Sequence, residues 1–219
     1  MNKITDYEGN EVQNQKQNRQ QFYALCGIIA PILFTILVIA ESLLRPGYSQ
    51  IFNDISDLGL GPYSIIQNIN FIIFGMLSVG FALGLGAHLS NRAGKAVKWL
   101  IIIFGVMIIL AGVTLFFSNP NIVFAKDVVS HGLVSAIAFL TIIIAQFLTW
   151  QALRKSNDVV WGRYRIYSLL SGLISIITLI ILSYTQFSPY HGATERLFIA
   201  VWLIWIEVTG LKLYSLIKK

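Results

Sequence analysis

Acidic side chains and histidines occur four residues apart at two places in this sequence. Asp127 and His131 form one pair and His191 and Glu195 form the other, and this spacing places two side chains on one face of a helix. Zinc accepts two histidines and two carboxylates as ligands, and a zinc ion with an open position activates water for hydrolysis. The same four groups could instead form a hydrogen-bonded ion network with Arg45 and Arg196. The spacing leaves both interpretations open.

A second group of polar residues occurs in the segment ESLLRPGYSQIFNDISDLGLGP. Glu41 and Arg45 are also four apart, so the guanidinium could neutralise a carboxylate or bind an anionic group such as a phosphate. Asp54, Ser56 and Asp57 could bind a ligand or lipid headgroup, or cap local backbone amides. The spacing also predicts a short helix here that lies on the membrane surface with Ile51, Ile55 and Leu58 in one apolar stripe.

Six apolar segments must position these residues. They cover residues 22–44, 65–89, 97–118, 128–150, 164–186 and 195–217. About 20 apolar residues are needed for a helix to cross the hydrocarbon core. The chain is 56% apolar and only 12% charged, whereas a soluble domain carries about 25% charged residues. The sequence therefore predicts an all-α, polytopic integral membrane bundle of six transmembrane helices (22–219), preceded by a flexible tail over residues 1–21.

The basic residues indicate the direction of the chain. Of the 16 lysines and arginines, all but Arg45, Lys126 and Arg196 lie at the two termini or in the second and fourth connections. Basic residues collect on the cytoplasmic side, which predicts a multi-pass protein of the cell membrane with both termini in the cytoplasm. The net charge of +6 is explained by these helix ends, so a nucleic-acid partner is not expected and membrane lipids are. Small residues four apart, Gly80 with Gly84 and Gly132 with Ala136, predict close helix contacts.

This topology places most of the ionisable groups at the outer face of the membrane. They form a candidate ligand-binding cluster of Glu41, Arg45, Asp54, Ser56, Asp57, Asp127, His131, His191, Glu195 and Arg196. One hypothesis is a protein that binds a small ligand or lipid headgroup there and transports it. A second is an outer-leaflet hydrolase or transferase that modifies lipids with a divalent metal such as zinc, held by Asp127, His131, His191 and Glu195. A third is a scaffold without chemistry.

Glu207 differs from the cluster because it lies inside the last apolar segment. It follows Glu195 by 12 residues, which is about 18 Å along a helix. An ionisable group at that depth is costly unless it is paired or neutral. Glu207 is therefore either a proton or cation relay that would suit coupled transport, or a neutral packing residue.

The segments RPGYSQIFNDISDLGLGP, QNINFIIFGM, DVVSHG and GATER resemble a known family. It is the six-span prokaryotic membrane family called "domain of unknown function 998", and the resemblance covers nearly all of the chain after the N-terminal tail. It implies a membrane-embedded six-helix fold and no established activity. The ISDLG segment is also similar to the first outer loop of the DRAM-like six-span eukaryotic proteins, some of which are tied to lipid remodelling.

Overall fold

The computed structural model is all-helical over the residues that it describes, which are 3–117, 125–154 and 161–218. Side chains are described for residues 11–117, 131–154 and 161–218. The α-helices are α1 Lys3–Leu44, α2 Ser64–His88, α3 Arg92–Phe117, α4 Ala125–Arg154, α5 Gly162–Tyr184 and α6 His191–Ile217, and a 3-10 helix covers Ile55–Gly59. All six α-helices are long and apolar enough to cross a bilayer. The predicted all-α, six-span architecture is confirmed.

Two parts of the topology prediction stay predictions. Nothing in the structure assigns a side of the membrane to either terminus. Residues 1–21 were assigned to a flexible tail, whereas α1 already begins at Lys3. The helix therefore extends beyond the first apolar segment, and Gln17 donates a hydrogen bond to the Ile217 carbonyl of α6 at 3.1 Å.

Consecutive helices pack side by side, and α6 returns to pack against α1. Aromatic side chains fill the centre of this ring: Trp202 lies 5.7 Å from Phe74 and 5.3 Å from Phe104, measured between ring centroids. Glycines allow the closest helix contacts, since a Cβ on Gly105 would lie 2.7 Å from the Gly75 carbonyl oxygen. Without a strong hydrophobic drive between helices in lipid, such close packing stabilises the bundle.

The close helix contacts predicted from the small-residue pairs Gly80–Gly84 and Gly132–Ala136 had different outcomes. A Cβ on Gly80 would lie 2.9 Å from the Cys26 sulfur, and one on Gly84 would lie 2.7 Å from the Tyr23 Cβ. The predicted contact of α2 is therefore confirmed, and its partner is α1. The prediction for Gly132 is wrong for the described part of the chain, because a Cβ there would meet no described atom within 4 Å.

The connection between α1 and α2 folds into one end of the bundle. This end contains the 3-10 helix Ile55–Gly59 and is named the 3-10 end. After α1 ends at Leu44, the chain turns over residues 45–48, and Gly47 with a φ of +73° takes the left-handed position of this turn. Asp54 is extended, and helix forms only over Ile55–Gly59. The predicted surface helix is therefore wrong: Ile55 and Leu58 are buried in the bundle, whereas Ile51 is 49% exposed.

Candidate functional site

The connection between α1 and α2 is attached to the first turn of α6. The backbone amide of Ala193 donates to the Ile51 carbonyl at 3.0 Å, and the amide of Ile55 donates to Glu195 Oε2 at 2.6 Å. A Cβ on Gly192 would overlap the Asn53 carbonyl oxygen and lie 2.7 Å from its carbon. Glycine is therefore required at position 192 for the two backbones to approach this closely.

Arg196 strengthens the same attachment. Its Nη1 donates to the carbonyls of Asn53 and Gly192, both at 2.8 Å. Its Nη2 donates to the Tyr48 hydroxyl, which in turn donates to the Asp54 carbonyl at 2.8 Å. Burial raises the pKa of Tyr48 to about 12, although Arg196 opposes the shift, so the phenol keeps the proton that it donates. These contacts give Arg196 a structural role.

Arg45 and Asp57 also stabilise the connection. Arg45 Nη1 donates to the Asp57 carbonyl. The Asp57 carboxylate accepts from the Asp54 backbone amide at 3.1 Å and from Asn53 Nδ2 at 3.5 Å. For Asp57 these contacts favour the capping interpretation over ligand binding. Among the described side chains no ion pair joins Arg45 to Glu41.

Glu41 is buried between α1 and α2, with no exposed surface. Neither of its carboxylate oxygens has a hydrogen-bond partner in the part of the chain described here. Nearby on α2, Asn70 donates from Nδ2 to the Phe34 carbonyl and to Gln67 Oε1, both at 3.1 Å. The structure thus places Glu41 in a buried polar layer and not with the other candidate residues.

An open cleft of about 330 Å³ lies at the 3-10 end, between α4, α5 and α6. Five of the predicted site residues line it together: Asp54, Ser56, His131, His191 and Glu195. Ser135, Ser183 and Gln186 complete its polar part. Its remaining walls are largely apolar side chains of α4 and α5, namely Ala136, Phe139, Leu179 and Leu182. Helices distant in sequence therefore bring half of the predicted cluster into one amphipathic site.

His131 of α4 and His191 of α6 both line the cleft, and they have different neighbours. His191 Nε2 lies 3.4 Å from Asp54 Oδ2, and the two side chains are 22% and 30% exposed. His131 is bracketed by hydroxyls, with Thr114 Oγ1 at 3.4 Å from Nδ1 and Ser135 Oγ at 3.5 Å from Nε2. An imidazole beside a carboxylate is held in one orientation, as in acid–base and metal sites. The cleft therefore holds one carboxylate–imidazole pair and one imidazole among hydroxyls.

We expect the carboxyl of Asp54 to make stability depend on pH. Burial raises its pKa above the ordinary 3.8; His191 and Arg196 oppose this shift, and Asp57 adds to it. The Glu195 carboxyl also faces Asp54 across the cleft. The folded protein holds the Asp54 proton more tightly than the unfolded chain. This contribution to stability is therefore complete below the unfolded pKa and is lost as pH rises through the folded pKa.

The variant Asp54→Asn cannot ionise at this position. Its unfolding free energy should fall less than that of the wild type between about pH 4 and pH 7. Denaturant unfolding of both proteins in detergent, repeated across this range, measures the difference. Parallel pH profiles would contradict the expected role of Asp54.

Behind the cleft lies a small inner cavity of about 30 Å³. It shares Ser56, His131 and Glu195 with the cleft and extends to Trp202 in the aromatic centre of the bundle. Trp202 Nε1 is buried and has no hydrogen-bond partner among the described residues. A cavity of this size has room for one or two water molecules. Most of its other lining residues are apolar or aromatic, so the polar groups that it shares with the cleft lie at the edge of the apolar core.

The predicted metal ligands Asp127, His131, His191 and Glu195 are not tested by this geometry. Asp127 lies outside the residues whose side chains are described. Over the described side chains, no three histidine, cysteine, aspartate or glutamate residues converge in a way that could hold a metal ion. His131, His191 and Glu195 nevertheless line the same cleft. The zinc hypothesis thus stays a prediction.

Glu207 lies apart from the cleft. It is half-buried in a groove of about 400 Å³ between α1 and α6, together with Pro31, Thr35 and Leu203. The other side chains that line this groove are mainly apolar. The role of Glu207 as a proton or cation relay stays a prediction.

Several residues at the 3-10 end were missed by sequence reasoning. Ser135 follows His131 by four residues, so the spacing argument applied to the acid–histidine pairs could have found it. Tyr48 and Asn53 lie in the quoted first connection, but nothing in its pattern predicts their contacts with Arg196. Gln186 lies just beyond α5 and has no recognisable signal in the sequence.

Comparison with protein families gave one match. The model described as "Protein of unknown function (DUF998)" matches residues 28–212. The chain belongs to this family. Comparisons with curated proteins and with solved structures found no match. Membership of the DUF998 family assigns no activity to the protein. The similarity of its first connection to the DRAM-like proteins stays a prediction. The function is therefore inferred from the cleft.

Proposed function

We propose that this protein binds the polar headgroup of a lipid or other membrane amphiphile in the cleft between α4, α5 and α6. The observation that carries the proposal is the amphipathic lining of the cleft. Asp54, Ser56, His131, His191 and Glu195 supply polar groups at the 3-10 end, and leucines and a phenylalanine line the remaining walls. Its volume of about 330 Å³ lies in the range of small-molecule sites.

The cleft also suits this ligand by its position. It lies where α4, α5 and α6 begin or end, near the depth at which lipid headgroups meet the hydrocarbon core. If both termini are cytoplasmic, as the basic residues predict, the cleft faces the outer leaflet. A lipid could then place its headgroup among the polar residues and its chain against α4 and α5. Transport of the bound lipid would be a later step and is not needed for binding.

A substitution that fills the cleft tests this proposal. Ala136 is exposed in the cleft wall, so Ala136→Trp should displace the bound amphiphile. Leu140→Trp is the matched control, because Leu140 lies one turn further along α4, is 55% exposed and lies outside the cleft. Mass spectrometry of gently solubilised protein should show an amphiphile retained by the wild type and the control and absent from Ala136→Trp. Equal retention by all three would refute the proposal.

A lipid-modifying enzyme is the second candidate. It is favoured by the contact between Asp54 and His191, since a carboxylate orients an imidazole for proton transfer or metal binding. In this version, residues of the cleft catalyse the cleavage or the transfer of part of the bound headgroup. In a scaffold without chemistry, the same contact would only help to attach the first connection to α6.

Metal analysis separates the metal-dependent version of this enzyme from simple binding. If a divalent metal such as zinc assists the reaction, purified wild-type protein should contain about one metal ion per chain, and His131→Ala and His191→Ala should each lose it. Elemental analysis of detergent-purified protein makes this measurement. A metal content that is unchanged in both variants would place the metal elsewhere and remove this version.

A further inference from the structure

We propose that the headgroup bound in the cleft carries a protonated amine and not a phosphate. This inference rests on the proposed function and names the class of ligand. It follows from the charges that line the cleft. Asp54 and Glu195 are carboxyl groups, and no lysine or arginine lines the cleft among the side chains that the structure describes, which do not include Lys126.

The two arginines at this end of the bundle make their hydrogen bonds outside the cleft. Arg196 directs its terminal nitrogens to Asn53, Gly192 and the Tyr48 hydroxyl. Arg45 donates to the Asp57 carbonyl. Neither arginine lines the cleft. A phosphate would therefore meet carboxyl groups without the guanidinium fork that normally binds it.

The cleft offers hydrogen-bond acceptors instead. Glu195 uses Oε2 to accept from the Ile55 amide, and its other oxygen receives no hydrogen bond from the described residues. Asp54 Oδ1 is buried and has no hydrogen-bond partner among the described side chains. Ser56 and Ser135 add hydroxyl oxygens in the same lining. An ammonium group has three donors and no acceptor, so it complements this set.

The electrostatics of Asp54 support the same ligand. Burial raises the pKa of this carboxyl in the unliganded cleft, where His191, Arg196, Asp57 and Glu195 are the charged or titratable groups that face it. An ammonium beside Asp54 would offset the cost of burying its charge and favour its ionised form.

Chain-matched probes test this inference. Dodecylamine, dodecanol and dodecyl phosphate share one hydrocarbon chain and differ in headgroup charge. Binding to the wild-type protein is measured by the rise in melting temperature in detergent as each probe is titrated. Dodecylamine should bind most tightly and dodecyl phosphate most weakly. Asp54→Asn should weaken dodecylamine about tenfold, as expected for one charge-assisted hydrogen bond, and leave dodecanol nearly unchanged.

The outcomes separate this inference from the proposed function. The inference that the headgroup is an amine is refuted if dodecyl phosphate binds as well as dodecylamine, or if Asp54→Asn weakens the binding of dodecylamine and dodecanol equally. Either result leaves the proposed binding of an amphiphile intact. If none of the probes binds and Ala136→Trp changes nothing, both proposals fail. Should Asp54→Asn not fold, Glu195→Gln is tested in the same way, because it also removes a carboxyl group from the cleft and keeps a similar shape.

Discussion

Gly192→Ala should lower the free energy of unfolding by about 2–3 kcal/mol. The added methyl group would overlap the backbone of Asn53, and backbone atoms cannot move aside as the end of a flexible side chain can. Alanine is favoured over glycine within a helix by about 1 kcal/mol, so the overlap must exceed this gain for the variant to be destabilised. The first connection would then separate from α6, and Asp54 would leave the cleft.

Gly132→Ala is the matched control for this prediction. Gly132 lies at the same end of the bundle on α4, and a Cβ there meets no atom of the described residues within 4 Å. Only the gain in helix propensity remains, so the control should be neutral or more stable by up to about 1 kcal/mol. Denaturant unfolding in detergent compares the two variants with the wild type. Equal effects of the two substitutions would contradict the close contact between Gly192 and Asn53.

Arg196→Met should cost about 2–3 kcal/mol of unfolding free energy, because it removes hydrogen bonds from a charged donor to two carbonyls and a phenol. Methionine keeps much of the side-chain volume, so the loss reports the polar contacts. The exposed Arg165 of α5 provides the control, and Arg165→Met should change stability by less than about 0.5 kcal/mol.

Hydrogen exchange locates the effect of Arg196→Met. If Arg196 attaches the first connection to α6, the amides of Asn53 and Ile55 should exchange faster in the variant, while those in the middle of α3 should not change. Uniformly faster exchange throughout the bundle would instead indicate a general loss of stability and would contradict this local role.

The spans could be predicted because hydropathy alone determines them. A run of about 20 apolar residues has few alternatives to a membrane helix. The four-residue spacing of His191 and Glu195 also predicted a shared helix face, and both side chains line the cleft. These are local properties, since each depends on residues within one helix.

Contacts between helices could not be predicted in the same way. The close approach of Gly75 to Gly105 joins α2 and α3 without any four-residue glycine pair to signal it. Gly132 and Ala136 have the expected spacing, and yet a Cβ on Gly132 would meet no neighbour among the residues that the structure describes. Packing depends on how whole helices fit together, and periodicity within one helix contains little of that information.

The first connection shows why the predicted surface helix was wrong. Periodicity treats Ile51, Ile55 and Leu58 as equivalent, but only Ile55 and Leu58 enter the bundle. The Asp57 carboxylate accepts from the Asp54 amide, and this capping contact begins a 3-10 helix in place of a longer one. The contact of Asp54 with His191 on α6 depends on that local geometry, so the sequence could not predict it.

Photo-crosslinking in the membrane tests amphiphile binding in the cleft most directly. Benzoylphenylalanine is placed at Gln186, which lines the cleft, or at Val106, a 40% exposed position of α3. The lipids attached at each position are then identified by mass spectrometry. We predict that one amphiphile is enriched at Gln186, that Ala136→Trp removes it, and that Val106 captures lipids in proportion to the bulk membrane. Bulk proportions at both positions would show that the cleft selects no amphiphile and would contradict the proposed function.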